Sequence, residues 1–290
     1  MREKTRAFDV FNYLFTFLFA VACLIPMVVV LSTSLTAEAT IKKFGYNILP
    51  RVFSIEAYKL VFSNNPQIVS SYTVTIAITV LGGGLAVLIT AMAAYALANR
   101  RVKYRNAWAL YFFVTMVFST GLVPWYIMCN VLMMRDNLLA LIIPGLVFSP
   151  FNMFLARNYM KGIPDSLMES AYIDGANDAT IAFKIYLPLC LPVLATIGLF
   201  YSLNYWNNWF NAIMLVENEK LFPLQYLLFK IKSEIRMLNE LQQGAAKNMT
   251  LPGESLKMAT AIITIGPVVL LYPQLQKYFV KGLIIGAVKG

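Results

Sequence analysis

From Ile68 to Leu97 the chain reads IVSSYTVTIAITVLGGGLAVLITAMAAYAL, and just beyond it stand Arg100, Arg101, Lys103 and Arg105. The quoted stretch holds no Asp, Glu, Lys or Arg. A helix that crosses the hydrocarbon core of a bilayer needs roughly 20 predominantly apolar residues. A charge at its centre costs about 2.5–3.5 kcal/mol on insertion scales. The stretch therefore predicts a membrane-spanning helix. The basic cluster behind it predicts a cytoplasmic end, because short cytoplasmic loops collect Lys and Arg.

Working outward, five more charge-free runs appear, between Asp9 and Glu38, Arg105 and Arg135, Asp136 and Arg157, Lys184 and Glu217, and Lys257 and Lys277. The 290 residues are 59% apolar and only 13% charged, against about 25% charged in soluble domains. The expectation is an all-α membrane protein with six transmembrane helices. Its spans are predicted near Phe11–Leu31, Ile68–Leu97, Trp108–Val131, Leu138–Ala156, Leu189–Val216 and Met258–Tyr272. Both termini then lie in the cytoplasm. The predicted division is 1–67, a first span with an extracytoplasmic segment, and 68–290, a five-helix core. That core includes a cytoplasmic loop, 158–188, and a long outer segment, 217–257. The apolar run from Val10 to Leu35 exceeds the 7–15 residues of a signal-peptide core, so the first helix is expected to stay uncleaved.

Composition excludes several classes. The net charge of +10 sits mostly at the ends of apolar runs and not in one stripe, which argues against nucleic acid. Cys23, Cys129 and Cys190 show no CxxC spacing, and the chain has no His. No metal site or disulfide framework is expected, and no catalytic constellation is visible. The spans carry no charged residue of the kind ion-coupled transporters use. A phosphate loop, G-x-x-x-x-G-K-[ST], is absent. Gly82-Gly83-Gly84 reads as close helix packing by small residues.

Helix breakers interrupt two runs: Gly121 and Pro124 in the third, and Pro144, Gly145 and Pro150 in the fourth. Irregular backbone at membrane depth survives where protein or a water-filled cavity satisfies it. Packing kinks and a lined pathway both fit. The fifth run carries Asn204, Tyr205, Trp206, Asn207, Asn208, Trp209, Phe210 and Asn211. Amides and rings suit a sugar, so Asn204, Tyr205, Trp206, Asn208, Trp209 and Asn211 are candidate pathway residues. An interfacial aromatic belt and a docking surface for an extracytoplasmic protein remain open readings.

The loop after the fourth run reads IPDSLMESAYIDGANDATIAFKIYLP from Ile163 to Pro188. It predicts two short helices. Pro164 suits a first helical position, Gly175 a left-handed stop, and Asn177 or Asp178 an N-cap. Such a helix–Gly–helix elbow fits a slim knob for a partner groove, or a plain interfacial hairpin.

Glu169-Ser170-Ala171, then Asp174-Gly175-Ala176, then Ile185-Tyr186-Leu187-Pro188 resemble the EAA motif of binding-protein-dependent ABC importer permeases. Ser170 departs from the family's usual alanine. Pro164–Leu167, Tyr205–Phe210, Pro223-Leu224-Gln225 and Phe279–Gly282 are similar to the carbohydrate-uptake branch. Within it they most resemble relatives of the second maltose-transporter permease that take up polysaccharides. The resemblance implies a type I ABC importer (MetI-like) fold and a non-enzymatic transport subunit. It also implies a heterodimer with a second permease, a cytoplasmic ATPase dimer that binds ATP and Mg, and an extracytoplasmic solute-binding protein. Glu169, Ser170, Ala171, Asp174, Gly175, Ala176, Phe183 and Pro188 would form the ATPase-coupling surface, with Glu169 paired to a basic residue nearby or on the ATPase. The implied cargo is a sugar or oligosaccharide. A family permease for another solute and a secondary transporter are the competing readings.

Overall fold

The computed structural model describes residues 3–63, 66–245 and 253–269. The expected turn at Asn64-Asn65, the end of the sixth span at Tyr272, and the tail from Lys277 to Gly290 lie outside the described residues. Two compact units are present: Met1–Ile68 with Leu228–Pro267, and Val69–Leu227 with Val268–Gly290.

In the first unit, helix α1 (Glu3–Ser34) carries its charges in the first two turns, at Glu3, Lys4, Arg6 and Asp9, and none from Val10 onward. Its stretch Phe8–Ser34 buries none of its most apolar window. In lipid a helix is the natural state of such a run, because all backbone groups are satisfied within the segment. Phe11, Phe15 and Phe19 stack along one face at 6.3 and 6.4 Å between ring centres. Beyond α1, Thr36 bridges Phe53 in antiparallel fashion. The short helices Glu38–Phe44 and Glu56–Ser63 follow.

Residues 254–269 are helical again. The N-terminus of that helix is capped from far away in sequence. Glu38 accepts the Glu254 N–H at 3.2 Å, the Ser255 N–H at 3.0 Å and the Ser255 hydroxyl at 2.8 Å. The first N–H groups of a helix lack internal partners and favour negative charge. Burial alone would raise the Glu38 carboxyl; the donors from Ser255 and Glu254 outweigh it and hold the group below its ordinary 4.5.

The second unit is built on α2 (Gln67–Ala98), which is 32 residues long. It packs most extensively against α6 (Pro150–Met160) and α9 (Leu191–Trp206). Ala86, Ala91 and Ala94 are fully buried, as expected where small residues let helices approach. A π turn, Ile78–Gly82, interrupts α2.

The third, fourth and fifth runs do not form single straight spans. The third divides into α3 (Arg105–Val117) and α4 (Leu122–Val131), bent by 115°. Gly121 sits at the bend with φ +81°. The fourth divides into α5 (Leu138–Ile142) and α6, each with a side-chain cap: Asn137 accepts the Ala140 N–H, and Ser149 the Asn152 N–H. The elbow follows as α7 (Asp165–Ile173) and α8 (Asp178–Leu189). The fifth run is α9 followed by α10 (Phe210–Leu215), with the chain unwound around Asn207–Trp209. Helix α11 (Leu224–Ala245) follows, within the segment 217–257 that was expected on the outer side.

By length and composition two described helices can cross a membrane, Phe8–Ser34 and Gln67–Ala98. The number rises to four if each bent pair is one span. Six spans were expected, the third and fourth of them interrupted by helix breakers. Gly121, Gly145 and the Asn207–Trp209 turn subdivide three of those runs, and the sixth is described only to residue 269.

Candidate functional site

The elbow folds by local rules. Pro164 stands extended at the N-cap of α7, with φ −59° and ψ 132°. At the other end the Gly175 N–H donates to the Tyr172 carbonyl at 3.0 Å and the Ala176 N–H to the Ala171 carbonyl at 2.9 Å. This pair of bonds is a Schellman stop, and it requires a left-handed residue at Gly175, whose φ is +79°. The Asn177 side chain then caps α8 by accepting the Thr180 N–H at 2.8 Å.

Pro188 has no N–H to continue the α-helical ladder. The turn directly before it, Ala182–Tyr186, is a π turn. A bend of 82° separates α8 from α9, yet the Cys190 N–H still reaches the Tyr186 carbonyl at 2.9 Å and the Leu194 N–H the Cys190 carbonyl at 2.9 Å.

One face of the elbow is anchored. Met168, Ala171, Ile181, Ala182 and Tyr186 are buried. The Tyr186 ring meets Tyr95 of α2 edge-on at 5.1 Å. The basic cluster that follows α2 grips the same structure. Arg100 pairs with Asp165 at 3.1 Å, and the Arg101 guanidinium lies 3.7 Å over the Tyr172 ring. The Tyr172 hydroxyl donates to Asp178, which ties the two helices together and holds the phenol above its ordinary range.

The opposite face is free. Glu169, Ser170, Asp174, Gly175, Phe183 and Pro188 are exposed, and Ala176 is half-buried; Ala171, expected on the same surface, is instead buried in the core on the anchored face. Glu169 has no hydrogen bond or ion pair among the described residues, so the nearby basic partner expected for it is not formed; the local ion pair goes to Asp165 instead. Sequence reasoning missed Ile173, which projects from the last turn of α7 at 86% exposure. An apolar residue placed between Tyr172 and Asp174 was the available signal.

The second candidate site lies where α9 meets the broken fourth run. Tyr205 donates to the Ile142 carbonyl at 2.9 Å, Asn208 to the Leu141 carbonyl at 3.0 Å, and Asn211 to the Pro144 carbonyl at 2.9 Å. The first two are carbonyls that the end of α5 leaves without helical partners, and the third belongs to the turn just beyond it. Four residues before Tyr205, the Tyr201 hydroxyl accepts the Ser149 N–H at 2.9 Å and shares a 2.6 Å bond with Thr90 of α2. Two tyrosines one helical turn apart thus hold both sides of the break. Tyr201, Thr90 and Gly82 were not singled out as partners of this break. A Cβ at Gly82 would fall 2.6 Å from the Tyr205 ring, so the packing reading of that glycine stands.

Beside the clasp is a cavity of about 560 Å³. Asn204, Asn207, Asn208, Trp209, Phe210 and Asn211 form one side, and Ser119, Thr120, Gly121, Trp125, Pro144 and Gly145 contribute the rest, with Leu122 and Leu146. Tyr205 and Trp206, expected with the amides, are buried and do not line it. Trp125, Phe210 and Trp209 form an aromatic chain, with ring centres 5.6 and 6.0 Å apart.

Known proteins share this architecture. A permease protein of a polygalacturonan/rhamnogalacturonan transport system, YtcP of Bacillus subtilis (strain 168), is 35% identical over 99% of this chain and 100% of its own length. The arabinooligosaccharides transport system permease protein AraQ of Halalkalibacterium halodurans is 27% identical, with both chains fully covered. A solved bacterial ABC transporter involved in import of the acidic polysaccharide alginate contains a chain that superposes with a TM-score of 0.82. That chain is 31% identical, and the match covers 96% of this chain and 99% of that one. Residues 86–285 match the family described as the inner membrane component of binding-protein-dependent transport systems. This span takes in both the elbow and the clasp, and the chain belongs to that family of ABC importer permeases.

Proposed function

We propose that this chain imports a sugar or oligosaccharide as one half of a heterodimeric permease driven by a separate ATPase. The elbow carries the reading. One face is fixed to α2 through Tyr186–Tyr95 and Arg101–Tyr172, and the other presents Glu169, Ile173 and Phe183 to a partner. On this reading a cytoplasmic ATPase dimer holds ATP and Mg and docks on the exposed face at Glu169, Ser170, Ile173–Ala176, Phe183 and Pro188. The chain's own residues bind no nucleotide; they receive motion. The N- and C-termini lie in the cytoplasm, and a solute-binding protein meets the outer segment 217–257. The sugar assignment is supported by the relatives' named cargoes and by the amide and aromatic lining of the cavity.

The test is affinity purification of the tagged chain in mild detergent. Recovery of a second permease and an ATPase is expected, with ATP hydrolysis stimulated by a loaded binding protein. Transport by the chain alone in vesicles would defeat the proposal. Glu169→Lys, on an exposed carboxylate, should leave the chain folded and cut transport at least tenfold; unchanged transport would remove the elbow from its assigned role.

A further inference from the structure

The cavity beside the clasp has a chemistry more specific than its size. Its volume of about 560 Å³ lies within the roughly 300–1,000 Å³ of small-molecule sites. Among the described residues none of its lining is Asp, Glu, Lys or Arg. Carboxylate recognition is ordinarily carried by Arg or Lys through charge-assisted bonds, and that apparatus is missing.

What the wall offers is neutral and mixed. Asn211 is 6% exposed; its amide N–H is spent on the Pro144 carbonyl, while its side-chain oxygen takes no donor among the described residues. The oxygen is therefore a fixed acceptor on the cavity wall. Asn204 lines the same space with a carboxamide that makes no hydrogen bond among the described residues, and the Thr120 hydroxyl is likewise unspent. The same lining includes Trp125, Phe210 and Trp209, whose rings supply apolar surface. Hydroxyl-rich sugar rings present both partners at once: hydroxyls that donate and accept at their edges, and C–H faces that cover aromatic rings.

We propose that this cavity is a subsite for an uncharged sugar ring. The proposal rests on the importer reading and narrows its cargo. Relatives whose names specify acidic polysaccharides make the distinction consequential.

The experiment uses the assembled transporter in detergent and a matched pair of probes, galactotriose and trigalacturonate, which differ in the carboxylates. Binding is read by tryptophan emission, since Trp125 and Trp209 line the site. Galactotriose should bind at least tenfold more tightly than trigalacturonate. Asn204→Ala and Thr120→Val touch no bond that holds the fold, and each should weaken galactotriose severalfold. Asn204→Arg should shift the preference towards the acid. Equal or tighter binding of trigalacturonate, no binding of galactotriose, or unaltered binding in both neutral variants would overturn the proposal. Failure of the importer reading would show separately, as galactotriose binding in a complex whose ATP hydrolysis never responds to a loaded binding protein.

Discussion

The close approach of α2 to α9 at Gly82 supports a quantitative prediction. A Cβ built there lies 2.6 Å from both Cε1 and Cζ of Tyr205, whereas ordinary contact begins near 3.4 Å, so the ring must retreat by about 0.8 Å. Tyr205 is fully buried, and its hydroxyl sits 2.9 Å from the Ile142 carbonyl. Any part of that retreat directed away from the Ile142 carbonyl stretches this bond towards the limit of hydrogen-bonding range. Overpacking of this kind costs about 1–3 kcal/mol, and the weakened bond adds about 1 kcal/mol. Helix propensity returns about 1 kcal/mol for Gly→Ala. The net for Gly82→Ala is a loss of about 1–3 kcal/mol.

Gly84 is the built-in control. A Cβ there meets nothing within 4 Å, so Gly84→Ala should be neutral or slightly stabilising. Thermal unfolding of the purified complex reads both. With roughly 2–4 °C per kcal/mol for chains near this size, Gly82→Ala should melt several degrees early. Placing Tyr205→Leu in the same chain should abolish most of the Gly82→Ala penalty, because the clashing ring is gone. Equal melting of Gly82→Ala and Gly84→Ala, or an undiminished penalty beside Tyr205→Leu, would refute the contact.

Three other outcomes follow from the same geometry. Gly175→Ala meets no atom within 4 Å but forces a side chain into φ +79°, at about 1–2 kcal/mol; Gly175→Asn should cost less, and ATPase co-purification should fall in that order. Tyr201→Phe strips partners from the Ser149 N–H and the Thr90 hydroxyl, a loss of about 1–3 kcal/mol, and adding Thr90→Val should recover the share owed to the hydroxyl, measured as melting temperature. The Glu38 carboxyl is held below its ordinary 4.5, so its contribution is complete above that value and fades as pH falls through the lowered one. Amide protection factors at the start of helix 254–269, taken against the intrinsic exchange rate at each pH, should therefore fall in acid, and Glu38→Gln should show lower protection at neutral pH with no acid step.

The parts of this molecule legible from sequence are those decided by neighbours in the chain. Pro164, Gly175 and Asn177 each act within four residues, and the elbow formed where they predicted it. The charge-free runs gave the membrane class because burial in lipid is a property of composition. The breaks were readable as breaks, at Gly121 and at Pro144-Gly145. What could not be read was what repairs them. The Ile142 carbonyl finds its donor 63 positions away, and the Ser149 N–H finds its acceptor 52 positions away. In the sequence Tyr205 looks like a pathway residue because it sits among amides and tryptophans. Its partner is backbone, and only the fold of α5 against α9 reveals it. The π turns at Ile78–Gly82 and Ala182–Tyr186 were equally silent.

That hidden repair bears on how the two candidate sites communicate. Helix α9 spans 16 residues, about 24 Å at 1.5 Å per residue. At one end it is joined through Cys190 to the elbow, with backbone bonds maintained across the bend. At the other it holds the severed ends of the fourth run by Tyr201 and Tyr205, and its continuation through Asn208 and Asn211 forms a wall of the cavity. A push at Gly175 that tilts α9 must therefore either carry α5 and α6 along or break buried hydrogen bonds that cost about 1–3 kcal/mol each when left unpaired. Carrying them is the cheaper course, and it moves Pro144 and Gly145 relative to Ser119 and Trp125. On the importer reading, the tyrosine clasp is what makes a displacement at the elbow a change in the shape of the cavity. Tyr201→Phe should then lower transport per ATP hydrolysed, and not merely the melting temperature.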